Sequence, residues 1–219
     1  TGEKSLFQAS AQRMTGPDYA APLVVTNSDF RFIVTEQMAA VGVDPGAILI
    51  EPAGRNTAPA VLAAALHLAQ SDPEGLMLVA PSDHVISDSA AFQAAVDVAA
   101  GAAREGRMVT FGITPDRPET GYGYLELAGD AMPGTAISLK RFVEKPDQAT
   151  AAAMLRDGHY LWNAGIFLFS VSTILQAFEA HAPKLISAVK AAVEQARPDL
   201  GFLRLAPGPW GQAEDVSID

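Results

Sequence analysis

The chain predicts a single α/β domain, residues 1–219, built on a mixed, mostly parallel central sheet flanked by helices. Three observations carry that expectation. Short apolar, β-rich runs alternate with helical patterns through the first half, which is how strands and crossover helices read in sequence. The 219 residues are 49% hydrophobic and 18% charged, enough to bury one sizeable core. No repeat and no low-complexity linker divides them.

Residues 23–26 (Leu-Val-Val-Thr) read as the first strand. Residues 29–41 then show helical spacing, with Asn27, Ser28 or Asp29 able to cap the start and Gly42 to end it. Residues 47–50 form the next strand, and the Ala- and Leu-rich stretch 56–70 a helix. The continuous apolar run 76–80 suits a strand buried on both faces. A helix over 89–104 and a strand over 108–113 complete the alternation. After Thr114 the rhythm changes: 122–127, 135–144 and 161–170 are β-rich, with a helical stretch at 148–157 among them. Helices follow at 171–180 and 183–196, parted by His181-Ala182-Pro183. From Arg197 onward Pro198, Pro207, Gly208, Pro209 and Gly211 predict loop and extended chain.

The formal charge of −10 excludes a surface built to neutralise nucleic-acid phosphates, which needs clustered Lys and Arg. A phosphorylated ligand must then be held locally, by a metal, a few basic residues or backbone N–H groups. The absence of cysteine removes disulfides and thiolate metal sites and fits a cytoplasmic protein. No apolar run approaches the roughly 18 residues of a spanning helix, and the N-terminus lacks the basic-then-apolar layout of a signal peptide. The expectation is a cytoplasmic protein with neither nucleic-acid nor membrane partner, and both its ends look cut.

Five segments place polar, Gly or Pro residues where strands should end, the edge at which open α/β sheets bind ligands. In residues 51–60 (EPAGRNTAPA) a strand end runs into a helix start, whose free backbone groups, with Arg55, Asn56 and Thr57, could read a purine edge or hold a phosphate. Asn56 or Thr57 acting only as a helix cap is the alternative. In residues 80–84 (APSDH) a Pro turn holds Asp83 at a strand end, suiting either Mg²⁺ or a simple turn. His84 has no second histidine at ligand spacing and reads as a packing residue.

In residues 119–124 (ETGYGY) two glycines flank an aromatic, allowing backbone to approach a ligand, or else closing a hairpin. The third glycine of a dinucleotide fingerprint is missing. In residues 141–146 (RFVEKP) Glu144 could accept from hydroxyls and Lys145 act as a point charge on a phosphate, or the two could form a solvated ion pair. Strand alternation would put Phe142 and Glu144 on one face, Val143 and Lys145 on the other. In residues 162–167 (WNAGIF) Asn163 offers donors and an acceptor suited to a diol, or to nearby backbone.

In this order and at these separations the five segments resemble the mannose-1-phosphate guanylyltransferase branch of the sugar nucleotidyltransferases, and the closing Ser217-Ile218-Asp219 resembles the family's late motif. The resemblance implies a Rossmann-like nucleotidyltransferase fold and a two-substrate site. It places Glu51, Pro52, Arg55, Asn56 and Thr57 beside the nucleotide, Asp83 and Asp219 on Mg²⁺, Gly123, Glu144 and Asn163 on the sugar, and Lys145 on the sugar phosphate. The implied catalytic set is Asp83, Lys145 and Asp219, the substrates GTP and mannose 1-phosphate, and the products GDP-mannose and pyrophosphate. At the front the chain departs from the family pattern: the first strand and the Gly-rich loop that holds the triphosphate are missing. Little activity is therefore expected of these 219 residues alone, with a non-catalytic nucleotide-sugar binding domain or another hexose 1-phosphate as alternatives.

Overall fold

The computed structural model describes residues 4–132 and 134–219. In chain order the elements are α1 (Leu6–Arg13), β1 (Leu23–Asn27), α2 (Arg31–Ala40), β2 (Ala47–Glu51), α3 (Thr57–Leu68), β3 (Leu76–Val79), α4 (Ser89–Arg104), β4 (Val109–Ile113) and β5 (Tyr124–Leu127). Then follow β6 (Leu139–Val143), α5 (Gln148–Asp157), β7 (Tyr160–Ser170), α6 (Val171–His181), α7 (Pro183–Glu194), β8 (Arg197–Asp199), β9 (Phe202–Arg204) and α8 (Pro207–Trp210). The chain divides into two compact units, one comprising the residues up to Met77 with Pro81–Ser89 and Ser170–Asp219, the other Leu78–Ala80 with Ala90–Phe169.

Helix starts follow from side chains that accept otherwise orphaned N–H groups. Ser5 and Gln8 form a capping box on α1, with Gln8 N–H to Ser5 Oγ at 3.1 Å and Ser5 N–H to Gln8 Oε1 at 3.0 Å. Asp147 accepts from Thr150 N–H at 2.7 Å on α5, and Gly158, at φ 81°, closes that helix. Helix α2 starts two residues later than the sequence predicts. Asn27 spends its carbonyl on the N–H groups of Asp29 and Phe30, a turn ahead of the helix rather than a cap upon it.

In the first unit, β1 pairs in parallel with β2, β2 in parallel with β9, and β9 antiparallel with β8. Ile48 and Ile50 join Val34, Met38, Val43 and Phe202 in one apolar cluster, with Phe7 and Val24 packed on it. Leu49, fully buried, points to the opposite face by strand alternation. Helix α3 packs against α6 and α7; its Leu62, Ala63 and Ala65 are fully buried, as is Val189 of α7. Burying a side chain the size of Leu62 or Val189 stabilises by about 1.5–3 kcal/mol, and the small alanines let the helices approach closely.

Two expectations change here. The tail is not merely extended: residues 197–204 form a hairpin whose second strand extends the sheet beside β2, Leu49 facing Leu203. Its turn is Leu200-Gly201, both at positive φ (51° and 86°), the geometry that a two-residue hairpin needs. And β3 is not buried on both faces. Of its residues only Met77 is buried, the other three being half-buried.

In the second unit β7 pairs antiparallel with β4 and β5, and β5 with β6. Tyr124, Trp162, Ala151 and Met154 form its apolar cluster, with Val143 and Tyr160 against it. Strands β5 and β6 are shorter than predicted, since residues 121–123 and 135–138 are turn and loop.

Candidate functional site

The 51–57 segment leaves β2 and enters α3, as the sequence predicts, but the first N–H groups of the helix are not free. Thr57 N–H donates to Asn56 Oδ1 at 2.9 Å and Ala58 N–H to Val216 C=O at 3.1 Å. Pro59, in the first turn, has no N–H to offer. The helix start is thus engaged by its own cap and by the chain's last residues. The same tail holds the loop at two further points: Arg55 donates to Gly211 C=O at 3.0 Å and the buried Trp210 indole to Ala53 C=O at 2.7 Å. Trp210 escapes a sequence reading, its one signal being a large aromatic within a Pro- and Gly-rich stretch.

Two features of this segment are costly. Asn56 stands at φ 63°, ψ −167°, a region left almost wholly to glycine, at a cost on the order of 1–3 kcal/mol. Glu51 Oε2 is buried without a hydrogen-bond partner, and burial raises the Glu51 pKa. Pro52 lies exposed in the turn between them.

Asp83 follows β3 in an exposed turn, while the backbone carbonyl of neighbouring His84 accepts from Arg13 at 3.5 Å. Asp219 is exposed too; its Oδ2 accepts from Ser217 Oγ at 2.8 Å. Among the described residues no group of three or more His, Cys, Asp or Glu side chains is arranged to hold an ion. The donor chemistry of Asp83 and Asp219 nevertheless fits Mg²⁺, which takes one or two carboxylates and completes its shell from phosphates and water.

The second unit gathers four predicted residues. Asn163 N–H donates to Gly123 C=O at 2.8 Å. A Cβ on Gly123 would strike the Phe142 ring, with Cε2 at 2.9 Å, and lie 3.2 Å from Glu144 Oε2, so glycine lets the turn sit against both side chains as they stand. Glu144 and Lys145 pair at 3.0 Å, both more than half exposed. Lys145 lies just past β6 at φ 41°, a left-handed conformation rare outside glycine. Asn163 is aimed by a bulge: β4 and β7 match Thr110 with Phe167 but Gly112 with Asn163, and Gly165, at φ 64°, takes up the extra chain. Its Oδ1 accepts from Thr110 Oγ1 at 2.9 Å and Gly165 N–H at 3.2 Å. Thr110 gives no functional signal in sequence, because a β-branched residue inside a strand reads as packing.

The turn before β5 is braced at several points. Tyr124 OH donates to Glu119 C=O at 2.8 Å and accepts from Glu119 N–H at 2.9 Å. The Glu119 carboxylate accepts from Gly121 N–H at 3.0 Å, which with the Arg117 guanidinium lowers its pKa. Arg117 lies over the Trp162 ring at 5.0 Å, and Tyr122 meets the same ring edge-on at 5.3 Å.

A family model described as nucleotidyl transferase matches residues 1–210. The xanthan biosynthesis protein XanB of Xanthomonas campestris is 48% identical over 218 residues, covering 100% of this chain and 46% of that protein. A mannose-1-phosphate guanylyltransferase of Sinorhizobium fredii is 46% identical over 220 residues, covering 100% and 43%. The chain thus spans less than half the length of these relatives. Among solved structures, a Helicobacter pylori protein described as mannose-6-phosphate isomerase superposes with a TM-score of 0.86 at 31% identity, over 98% of this chain and 82% of that one. With the fold, the motif order and the family match in agreement, the chain belongs to the nucleotidyl transferase family.

Proposed function

We propose that the full-length protein transfers a guanylyl group from GTP to mannose 1-phosphate, with Mg²⁺, giving GDP-mannose and pyrophosphate. The observation that carries this reading is where backbone strain falls. Among the described residues three non-glycines have positive φ, namely Asn56, Lys145 and Leu200. Leu200 is accounted for by its hairpin turn. The other two are residues expected to contact ligand, and strain of this kind gathers at functional sites.

On this reading the 51–57 segment, with Glu51, Pro52, Arg55 and Asn56, faces the nucleotide. The unsatisfied Glu51 oxygen supports guanine in particular, whose N1–H and N2–H₂ edge offers donors to a carboxylate. Gly123, Glu144 and Asn163 hold the sugar, and Lys145 neutralises its phosphate. A phosphate oxygen of mannose 1-phosphate attacks the α-phosphorus of GTP, and the bond to the departing pyrophosphate breaks. Mg²⁺ bound by Asp83 and Asp219 would supply positive charge to the phosphates. No protein nucleophile is needed; the residues align the reactants and balance charge.

The test is turnover of the full-length protein with GTP, mannose 1-phosphate and Mg²⁺, following GDP-mannose and pyrophosphate. Asp83→Asn should lower kcat about 100-fold or more, while the KM for mannose 1-phosphate moves less than about threefold. An unchanged kcat would remove Asp83 from the metal site. Faster turnover of another hexose 1-phosphate or nucleotide would correct the substrate, and binding without turnover would make this a nucleotide-sugar binding protein.

A further inference from the structure

Thr57 stands among residues expected to face the nucleotide, yet its hydroxyl is already occupied. Ile218 N–H donates to Thr57 Oγ1 at 2.9 Å, and Thr57 Oγ1 lies 3.3 Å from Ser217 Oγ. Ser217 Oγ in turn lies 2.8 Å from Asp219 Oδ2 and accepts from Asp219 N–H at 3.3 Å. The direction of the protons follows from chemistry. An ionised carboxylate only accepts, so the single hydroxyl proton of Ser217 goes to Asp219. Ser217 has none left for Thr57, so where the two hydroxyls bond, Thr57 is the donor, and its proton is turned toward Ser217 rather than toward a phosphate or a base.

The neighbouring backbone points the same way. Ala58 N–H donates to Val216 C=O at 3.1 Å, so the first turn of α3 grips residues 216 and 218 at adjacent points. Residues 214–219 lie outside any helix or strand, so these contacts with α3 restrict the conformations open to Asp219.

We infer that Thr57 is a positioning residue for Asp219 and not a nucleotide ligand: α3 carries a hydroxyl relay, Thr57 to Ser217 to Asp219, that sets the direction of the metal-binding carboxylate. This inference rests on the metal role proposed for Asp219. The relay exists only if residue 57 has a hydroxyl, so serine should serve and valine, nearly the same shape, should not.

The experiment uses the full-length protein and its Thr57→Val, Thr57→Ser, Ser217→Ala and Asp219→Asn variants. Mn²⁺ affinity is read directly by calorimetry without nucleotide, the KM for GTP at saturating Mg²⁺, and Ile218 amide exchange by NMR. Thr57→Val should weaken Mn²⁺ about tenfold, speed Ile218 exchange about tenfold and leave the GTP KM within about twofold, since one hydrogen bond is lost. Thr57→Ser should return all three to within about threefold of wild type, and Ser217→Ala should resemble Thr57→Val in Mn²⁺ affinity. A raised GTP KM with unchanged Mn²⁺ affinity would make Thr57 a nucleotide ligand and overturn the inference. So would Mn²⁺ affinity and Ile218 exchange both at wild-type values. If instead Asp219→Asn leaves Mn²⁺ affinity unchanged while Thr57→Val still speeds Ile218 exchange, the tether stands, and it is the metal role of Asp219, with the inference built on it, that fails.

Discussion

Lys145 shows how one residue can carry opposing demands. Its left-handed backbone, φ 41°, favours glycine, while the proposed role on a sugar phosphate demands a long cationic side chain. The two demands separate by substitution. Lys145→Gly and Lys145→Ala both remove the charge, and both should raise the KM for mannose 1-phosphate to a similar degree. In folding they should differ: the glycine variant should be about 1 kcal/mol more stable than the alanine one, because only alanine keeps a Cβ in a left-handed conformation. Urea unfolding of the two variants measures this, and equal midpoints would mean that the backbone at 145 relaxes without cost. RFVEKP by itself left two readings of this residue, a charge for a phosphate or a solvated ion pair, and the structure holds the exposed pair with Glu144 at 3.0 Å; the phosphate role came only with the resemblance. Its strain was not legible, because no side-chain pattern announces φ. The same holds for Asn56, legible as a cap but not as an outlier. Thr57 fell between the two: its residue type suggested a ligand or a cap, and only a contact with residues some 160 positions further along showed where its hydroxyl goes.

At the scale of elements, the alternating helices and strands of the first half were read closely, β1 to β4 included, and the misreadings gather in β5, β6 and the hairpin near the end. Helices α4 and α5 fall on the predicted residues because a 3.6-residue period over ten or more positions leaves little choice. The β8–β9 hairpin escaped because Pro198 and the nearby prolines argued against strands. Pro198 is tolerated because β8 is an edge strand, and the turn is Leu-Gly where Asn-Gly would have signalled it. That turn offers a stabilising change. Leu200 is 82% exposed at φ 51°, so its side chain gives little to packing while its backbone is strained. Leu200→Asn, a residue that tolerates this conformation, should raise stability by about 0.5–1 kcal/mol and leave turnover unchanged. Thermal unfolding beside an activity assay checks both halves; a lower Tm would mean that Leu200 makes a contact worth more than its strain.

Over the whole molecule, the response to pH rests on groups that composition alone cannot find. Among 25 acidic residues against 15 basic ones, Glu126 is the buried carboxylate of the second unit's sheet. Lys140 donates to it at 2.7 Å and Arg141, cross-strand on β6, donates to its other oxygen; these bonds, Lys140 first, hold its pKa down to about 2. A depressed carboxylate pKa stabilises the fold fully above the unfolded value near 4.5, and that contribution is lost as pH falls toward 2. His159 works on the other limb. Hydrogen bonds to Asp157 and then Asp130 raise its pKa, so its contribution is complete below about 6.5 and fades as pH rises through the folded value. The two limbs separate in a difference measurement. Glu126→Gln keeps the shape and removes the titration, so its Tm should lie below wild type by a constant amount from pH 5 to 8. The gap should close as pH drops from about 4.5 toward 2, while every other carboxylate titrates alike in both proteins and cancels. A gap that stays constant down to pH 2 would show that Glu126 contributes through packing alone and that its ion pairs add nothing to stability.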